Sequence, residues 1–272
     1  MYDLHTHSTN SDGKYSVDDM CRAALEKGLR GIALTDHADM YVFEERDTLN
    51  KMTQAGIDLR AAKEAYRGKL QVFFGVELGE YLMAPDKAEQ ILTLNDYDVV
   101  LYSEHFVPAA KWDKSYNRIV CDESVSDEDI RDYMKLYFDL LNNTVTAFDY
   151  DVLAHISCPA RYITGRQKRA TNVMLYEKTI TEILKKIIDR DIALEWNTCG
   201  KYCESFGYYD AQNEEIFQLY RALGGSKVTL GSDAHNVGGI GRGFAETKAQ
   251  LKAMGFDNYY YYENRKAVAV KL

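Results

Sequence analysis

Seven short apolar segments, rich in β-branched residues, alternate along the chain with seven longer amphipathic segments. The first kind has the length of a strand and is nearly continuous in apolar residues, as in GIALTDH (31–37) and KVTLGSD (227–233). The second kind carries helix-start signals, such as Ser16 before VDDM and Ser126 before DEDI. This alternation predicts a parallel sheet covered by helices. It does not decide whether the sheet stays open or closes into a barrel.

The predicted elements cover most of the chain. The strands are expected at residues 2–5, 31–37, 71–77, 98–105, 151–157, 192–197 and 227–233. The helices are expected at residues 17–27, 49–67, 85–94, 127–142, 173–189, 213–223 and 246–254. With only three prolines among 272 residues and no low-complexity tract, no linker is evident. We therefore expect one domain that spans residues 1–272.

Composition excludes several classes of function. The formal net charge is −9, and nucleic-acid binders usually show a basic face, so no nucleic-acid partner is expected. No apolar stretch approaches the ~20 residues that span a bilayer, and the N-terminus lacks the pattern of a secretory signal. We expect a cytoplasmic protein without a membrane partner. Cys199 and Cys203 have no second cysteine pair, which disfavours a cysteine zinc site.

All six histidines lie at or just after the ends of predicted strands. They are His5 and His7 in the first, His37 in the second, His105 in the fourth, His155 in the fifth and His235 after the seventh. The third strand ends with a carboxylate, Glu77. Strand ends converge on one face only if the sheet closes, so this placement favours a (β/α) barrel with a site at that face. Imidazoles combined with carboxylates suit Zn, Mn or Fe.

Six motifs carry a resemblance to a known family. DLHTHSTNSDG, ALTDH, GVELG, SEH, AHIS and GSDAH resemble, in this order, the motifs of the PHP (polymerase and histidinol phosphatase) superfamily. The C-terminal segment GFAETKAQLKAMGFDNYYYYENRKAVAV resembles the end of the stand-alone histidinol-phosphatase branch. The resemblance implies an α/β fold, a distorted (β/α)7 TIM-like barrel with its metal site at the C-terminal strand ends.

The resemblance also implies two or three divalent transition metals and a set of ligands. The implied groups are His5, His7, Glu77 and Asp233 for the first ion; Glu77, His105 and His155 for the second; and Asp12, His37 and His235 for the third. Asp36 and Glu104 flank ligands and are expected either to orient imidazoles or to be ordinary surface acids.

Such a centre suits hydrolysis of a phosphate monoester by a metal-activated hydroxide. Asp233 and His235 are the candidates for protonating the leaving alkoxide. Arg161, six residues after His155, and Arg242, in the loop GGIGRGF, are candidates for binding the phosphate. The alternative for each arginine is a solvated surface position.

The remaining candidate residues concern the substrate beyond its phosphate. Asn197 and Gly200 match positions that the branch usually shows after the sixth strand, whereas its Tyr-Pro step is replaced here by GYYDAQNEE. That departure leaves recognition of the amino-alcohol end undetermined. Trp112 and Tyr116, in a long loop after the fourth strand, are expected to stack on an imidazole ring.

The resemblance therefore implies a phosphoric monoester hydrolase that converts L-histidinol phosphate and water to L-histidinol and phosphate. The partner would be a small phosphorylated substrate, and the oligomeric state stays open. Two alternatives are kept. One is a PHP phosphoesterase that acts on a nucleotide or sugar phosphate. The other is a metal-binding accessory module of a polymerase with little turnover.

Overall fold

The computed structural model describes residues 1–108, 114–115, 124–207, 209 and 213–272. Within these residues the strands are β1 (Tyr2–Asp3), β2 (Gly31–Leu34), β3 (His37–Asp39), β4 (Gln71–Gly79), β5 (Val99–Ser103), β6 (Phe106–Val107), β7 (Lys114–Ser115), β8 (Val152–Leu153), β9 (Ala193–Asn197), β10 (Val228–Gly231), β11 (Asn258–Glu263) and β12 (Lys266–Lys271). The helices are α1 (Val17–Glu26), α2 (Thr48–Ala65), α3 (Pro85–Leu92), α4 (Asp127–Thr144), α5 (Cys158–Ala160), α6 (Glu177–Asp189), α7 (Cys199–Tyr202), α8 (Asn213–Ala222) and α9 (Phe244–Ala253).

In the described part of the chain, seven parallel strands form the barrel in the order β1-β2-β4-β5-β8-β9-β10. The two end strands meet through backbone hydrogen bonds beyond their assigned bounds. Leu4 N donates to the Leu230 carbonyl at 3.0 Å, and Asp233 N donates to the His5 carbonyl at 2.8 Å. These bonds nearly close the ring. The prediction of a distorted (β/α)7 barrel is confirmed.

The distortion lies after β2. This strand stops at Leu34, and the chain resumes as β3, which pairs in parallel with the second half of β4. In that register His37 lies opposite Glu77. A local interruption of the sheet therefore brings an imidazole of one strand beside the carboxylate of the next.

The predicted helices form close to their expected bounds, and at α1 and α4 the predicted start signals are capping groups. The Ser16 hydroxyl accepts from Asp19 N, while the Asp19 side chain accepts from Ser16 N, a capping box at the start of α1. Ser126 and Asp129 make the same box at α4. The segment predicted as a helix from residue 173 instead begins with a 3₁₀ turn, Val173–Tyr176, before α6. No described helix combines the length and apolar character that crossing a bilayer requires.

A hairpin of β11 and β12 covers the N-terminal ends of the strands. Tyr261 on β11 stacks on Tyr2 of β1 with ring centroids 4.1 Å apart. At the hairpin turn, Asn264 N donates to Asp98 Oδ1 at 3.0 Å and Arg265 N donates to the Asp98 carbonyl at 2.9 Å. The tyrosine run at 259–262 is therefore a packing feature at the end of the barrel that lies opposite the histidines.

Candidate metal centre

One buried carboxylate lies at the centre of the C-terminal strand ends. Glu77, on β4, is fully buried. Its Oε1 lies 2.8 Å from His155 Nε2 and 3.1 Å from His105 Nε2. Its Oε2 lies 2.9 Å from His37 Nδ1 and 3.1 Å from His5 Nε2. Four strands thus direct imidazoles to the two oxygens of a single side chain.

A second group lies beside the first, nearer to solvent. His235 Nε2 is 3.0 Å from Asp12 Oδ1, and His37 Nε2 is 3.6 Å from the same oxygen. The ring of His7 lies 4.2 Å from the rings of both His37 and His235. His7 therefore joins the group implied for the third ion, while it also approaches Glu77 Oε2 at 3.6 Å. The nine implied ligands form one continuous cluster.

Asp233 connects this cluster to an arginine. Its Oδ1 lies 3.2 Å from His7 Nε2 and 3.8 Å from His5 Nε2, while its Oδ2 lies 2.8 Å from Arg161 Nη2. The backbone of Asp233 is left-handed, with φ of 51°. Non-glycine residues rarely adopt this conformation, although Asp is enriched among those that do.

The donor atoms fit divalent cations. His5 Nε2, His37 Nδ1 and Glu77 Oε2 are buried and make no hydrogen bond with any described residue. Leaving buried polar atoms unsatisfied costs about 1–3 kcal/mol each, so a protein retains them where a ligand completes them. The candidate groups, whose ligand atoms lie within 4.8 Å of one another, contain only imidazole nitrogens and carboxylate oxygens among the described residues. Such donors suit Zn and similar ions.

The electrostatics of the cluster agree with this fit. Burial and, to a smaller extent, the neighbouring imidazoles of His235 and His37 together lower the pKa of His7 to about 3, so His7 is in its neutral, ligating form. For His5, burial also opposes the charged form, but the carboxylates of Glu195 and Glu77 outweigh it and raise its pKa well above the usual value. A bound cation would take the place of that proton.

Two acids that the sequence analysis missed contact the imidazoles directly. Glu195 Oε1, on β9, lies 2.6 Å from His5 Nδ1. Asp39 Oδ1, on β3, lies 2.9 Å from His105 Nδ1. The available signal was an acidic residue inside an otherwise apolar strand, as in the segment IALEWN. The residue that such an acid contacts is distant in sequence, so the pattern does not predict which residue it is.

The acids expected to orient imidazoles have other partners. Asp36 Oδ1 accepts from Ser8 N at 2.7 Å and from the Ser11 hydroxyl at 2.6 Å, which ties down the loop after β1. Glu104 accepts from the Tyr102 hydroxyl. Both acids are buried, so they are not surface acids either.

A cavity of about 520 Å³ opens over the cluster. Arg161 lines it and is 6% exposed, which excludes a solvated surface position. Arg161 Nη1 donates to Asn197 Oδ1 at 3.1 Å, and Asn197 Nδ2 lies 3.3 Å from Asp233 Oδ2. Arg242 also lines the cavity, and it donates from Nη1 to the Tyr202 carbonyl at 2.6 Å.

The other substrate candidates have different outcomes. Gly200 lies where a Cβ would be 2.3 Å from the Tyr209 carbonyl oxygen, so close backbone packing explains this glycine. Trp112 and Tyr116 lie outside the described residues.

Comparison with known proteins now identifies the fold family. The model of the PHP domain matches residues 3–199. The chain belongs to the PHP domain family. This chain is 30% identical over 274 residues to a probable histidinol-phosphatase of Thermotoga maritima, and each chain is covered completely.

A solved structure of the histidinol phosphate phosphatase from Lactococcus lactis, complexed with Zn, L-histidinol and phosphate, shares the fold. Its TM-score is 0.72 at 19% identity, with 98% of each chain covered. The DNA polymerase/3'-5' exonuclease PolX of Bacillus subtilis is 26% identical over 261 residues, which are 92% of this chain and 39% of PolX. The full-length matches confirm the resemblance to the stand-alone histidinol-phosphatase branch.

Proposed function

We propose that this PHP domain is a metal-dependent phosphomonoesterase that hydrolyses L-histidinol phosphate to L-histidinol and phosphate. The observation that carries the proposal is the cluster around Glu77, in which imidazoles and carboxylates from separate strands lie at the base of one cavity. Full-length similarity to histidinol-phosphatases supports the choice of substrate. This activity belongs to histidine biosynthesis, and we propose the cytoplasm as its compartment.

We propose that the cluster binds two or three divalent ions, of Zn, Mn or Fe. Glu77 would be shared by two of them, because its two oxygens face different imidazoles. Asp12 and His235 would hold a third, in the group that His7 and His37 also join. Divalent ions at such a centre make hydroxide available near neutral pH and neutralise charge on the phosphate.

Arg161 is our proposed phosphate-binding residue. Its guanidinium is buried, lines the cavity and is oriented by Asn197 and Asp233. A guanidinium held in one orientation can donate two parallel hydrogen bonds to phosphate oxygens. Arg242, which lines the same cavity from the segment after β10, is the second candidate for binding phosphate or a charged part of the substrate.

We assign the proton donor to His235 rather than to Asp233. Burial opposes ionisation of Asp233, but Arg161 and His5 outweigh it and hold its pKa well below the usual range, so it has no proton to give. The side chain of His235 is 33% exposed, and its pKa is raised because Asp12 and Asp233 outweigh burial. An imidazole cannot donate a proton from a nitrogen that holds a metal, so His235 would be the proton donor only where its Nε2 is not bound to an ion.

The test is steady-state kinetics on L-histidinol phosphate beside a panel of small phosphate monoesters, with Mn²⁺ or Zn²⁺ added. We expect kcat/KM for L-histidinol phosphate to exceed that for every nucleotide and sugar phosphate by at least tenfold. A higher kcat/KM for another ester would show that L-histidinol phosphate is not the preferred substrate, while the assignment as a phosphoesterase would stand. No phosphate release from any ester would favour the accessory-module alternative, which the similarity to PolX motivates.

A further inference from the structure

Strand β9 supplies no residue to the proposed ligand set, yet one of its side chains touches two ligands. Glu195 is 2% exposed, and its two oxygens have different partners. Oε1 lies 2.6 Å from His5 Nδ1, and Oε2 accepts from His155 N at 2.8 Å. His5 follows β1 and His155 follows β8, 150 residues apart in the chain. Glu195 therefore connects two parts of the metal centre that have no local connection.

The contact with His5 selects one tautomer of that imidazole. An ionised carboxylate only accepts hydrogen bonds, so Nδ1 of His5 must carry the hydrogen. Its other nitrogen, Nε2, then presents a lone pair toward the cluster, where it lies 3.1 Å from Glu77 Oε2. A carboxylate behind a ligating imidazole also increases the basicity of the ligand.

The contact between Glu195 and His155 involves the backbone of His155 rather than its imidazole ring. His155 has φ of 20°, a value that L-residues rarely adopt, and its N–H points at Glu195 Oε2. Asn197 Nδ2, one pleat further along β9, also approaches that oxygen, at 3.2 Å. Because Glu195 and Asn197 lie on the same face of the strand, they form one polar surface behind the ligands.

The neighbouring strand leaves room for this carboxylate. Gly231 ends β10, and a Cβ at that position would lie 1.9 Å from Glu195 Oε1 and 2.7 Å from Cβ of His5. Any larger residue would therefore displace the pair. A glycine at this position of β10 is the packing expected if the metal centre requires the Glu195 carboxylate to lie beside His5.

We propose that Glu195 is a positioning residue of the metal centre, which fixes the Nε2-ligating tautomer of His5 and the backbone of His155. This inference rests on the proposed metal-dependent function. Glutamine at this position keeps the shape but loses the charge, and its NH₂ group cannot accept from His155 N or His5 Nδ1. Glu195→Gln must therefore lose one of the two bonds.

The experiment is titration of the metal-depleted full chain with Zn²⁺ alone, by calorimetry, for the wild type, Glu195→Gln and Glu195→Asp. We expect Glu195→Gln to weaken binding of one ion by about 10- to 100-fold. Glu195→Asp, which keeps the charge, should bind that ion with an affinity between those of the wild type and Glu195→Gln. Asp98→Asn is the matched control, since Asp98 is an equally buried carboxylate at the other end of the barrel. The Asp98→Asn variant should bind Zn²⁺ with the affinity of the wild type. Zn²⁺ affinities within twofold of the wild type in Glu195→Gln would overturn the proposal.

A second measurement needs no variant. In Zn²⁺-loaded wild-type protein with ¹⁵N-labelled histidine, we expect NMR to show His5 protonated at Nδ1 and metal-bound at Nε2. The reverse tautomer would overturn the proposal even if Glu195→Gln failed to fold. Both measurements use the metal alone. They are therefore independent of whether L-histidinol phosphate is the substrate, and a failed substrate assignment would leave them intact.

Discussion

The two ends of the barrel both bury charged side chains, but they satisfy them differently. At the N-terminal ends of the strands, Asp151 accepts from Val100 N at 2.7 Å and from Arg265 Nε. Asp98 accepts from Phe74 N at 2.8 Å in the same manner. Each carboxylate lies beside a backbone N–H and is also covered by the C-terminal hairpin. At this end, Asp98 and Asp151 are therefore paired within the described part of the chain.

At the C-terminal ends, the buried polar atoms face one another instead. Glu77 Oε2 and His37 Nδ1 lie 2.9 Å apart without making a hydrogen bond, and His5 Nε2 also lacks one among the described residues. The two acids Asp98 and Asp151 at one end are therefore paired within the chain, whereas at the other end several buried donor atoms lack a partner within the described ranges, and a cation would supply one. Changes at the two ends should separate activity from stability.

The largest expected effect is that of metal removal. Protein purified without chelator should contain at least two equivalents of transition metal by elemental analysis. Dialysis against a chelator should abolish phosphatase activity, and Zn²⁺ or Mn²⁺ should restore it. Circular dichroism should still report a folded chain, because the hairpin end has no metal. A metal-free protein with full activity would end the proposed mechanism.

The second-largest loss of activity is expected when the negative charge of Glu77 is removed from the metal centre. Glu77→Gln weakens the binding of both ions that Glu77 is proposed to bridge, so kcat/KM should fall by several orders of magnitude while secondary structure is retained. Steady-state kinetics at saturating metal provides the measurement. Activity within tenfold of the wild type, about 1.4 kcal/mol in the activation free energy, would exclude a bridging role.

A smaller effect should separate phosphate binding from metal binding. Arg161→Ala removes a charge-assisted contact worth about 1.5–3 kcal/mol, which corresponds to a roughly 10- to 150-fold rise in KM. Competitive inhibition by free phosphate should weaken in parallel. Arg161 also contacts Asp233, so metal content is measured in the same samples. Unchanged KM and unchanged phosphate inhibition would move the assignment to Arg242.

At the other end, a substitution should change stability and leave activity alone. Arg265→Ala removes a hydrogen bond to Asp151, which should lower the free energy of unfolding by about 1.5–3 kcal/mol in urea denaturation. The value of kcat/KM should stay within twofold of the wild type. A large loss of activity with unchanged stability would refute the division between the two ends.

The smallest expected effect is one of pH. Burial raises the pKa of Asp151 to about 6, although Arg265 opposes the rise. An acid whose pKa is higher in the folded state than in the unfolded state stabilises the fold below the unfolded pKa, and that contribution is lost as the pH rises through about 6. Relative to Asp151→Asn, the wild type should therefore lose stability between pH 4 and pH 7. A difference that does not change over this interval would show that Asp151 has an ordinary pKa.

The order of strands and helices could be predicted because their periodicity is local. Ser16 and Ser126 start helices through residues three positions away, and a strand such as Val99–Ser103 shows its apolar character in its own residues. The positions of the histidines predicted that the sheet closes into a barrel for the same reason, because the place of each histidine relative to its own strand is a local feature. Glu195 was missed because its partners are 190 and 40 residues away.

The sequence by itself determined which side chains are available to the metal centre and which end of each strand carries them. Only the tertiary structure decided how they meet: that β3 shifts so that His37 faces Glu77, that His7 lies with two groups, and that Glu195 stands behind His5. The physical reason is that strand and helix formation depends on neighbours a few residues apart. Contacts across a closed ring depend instead on register and curvature, which no single segment contains.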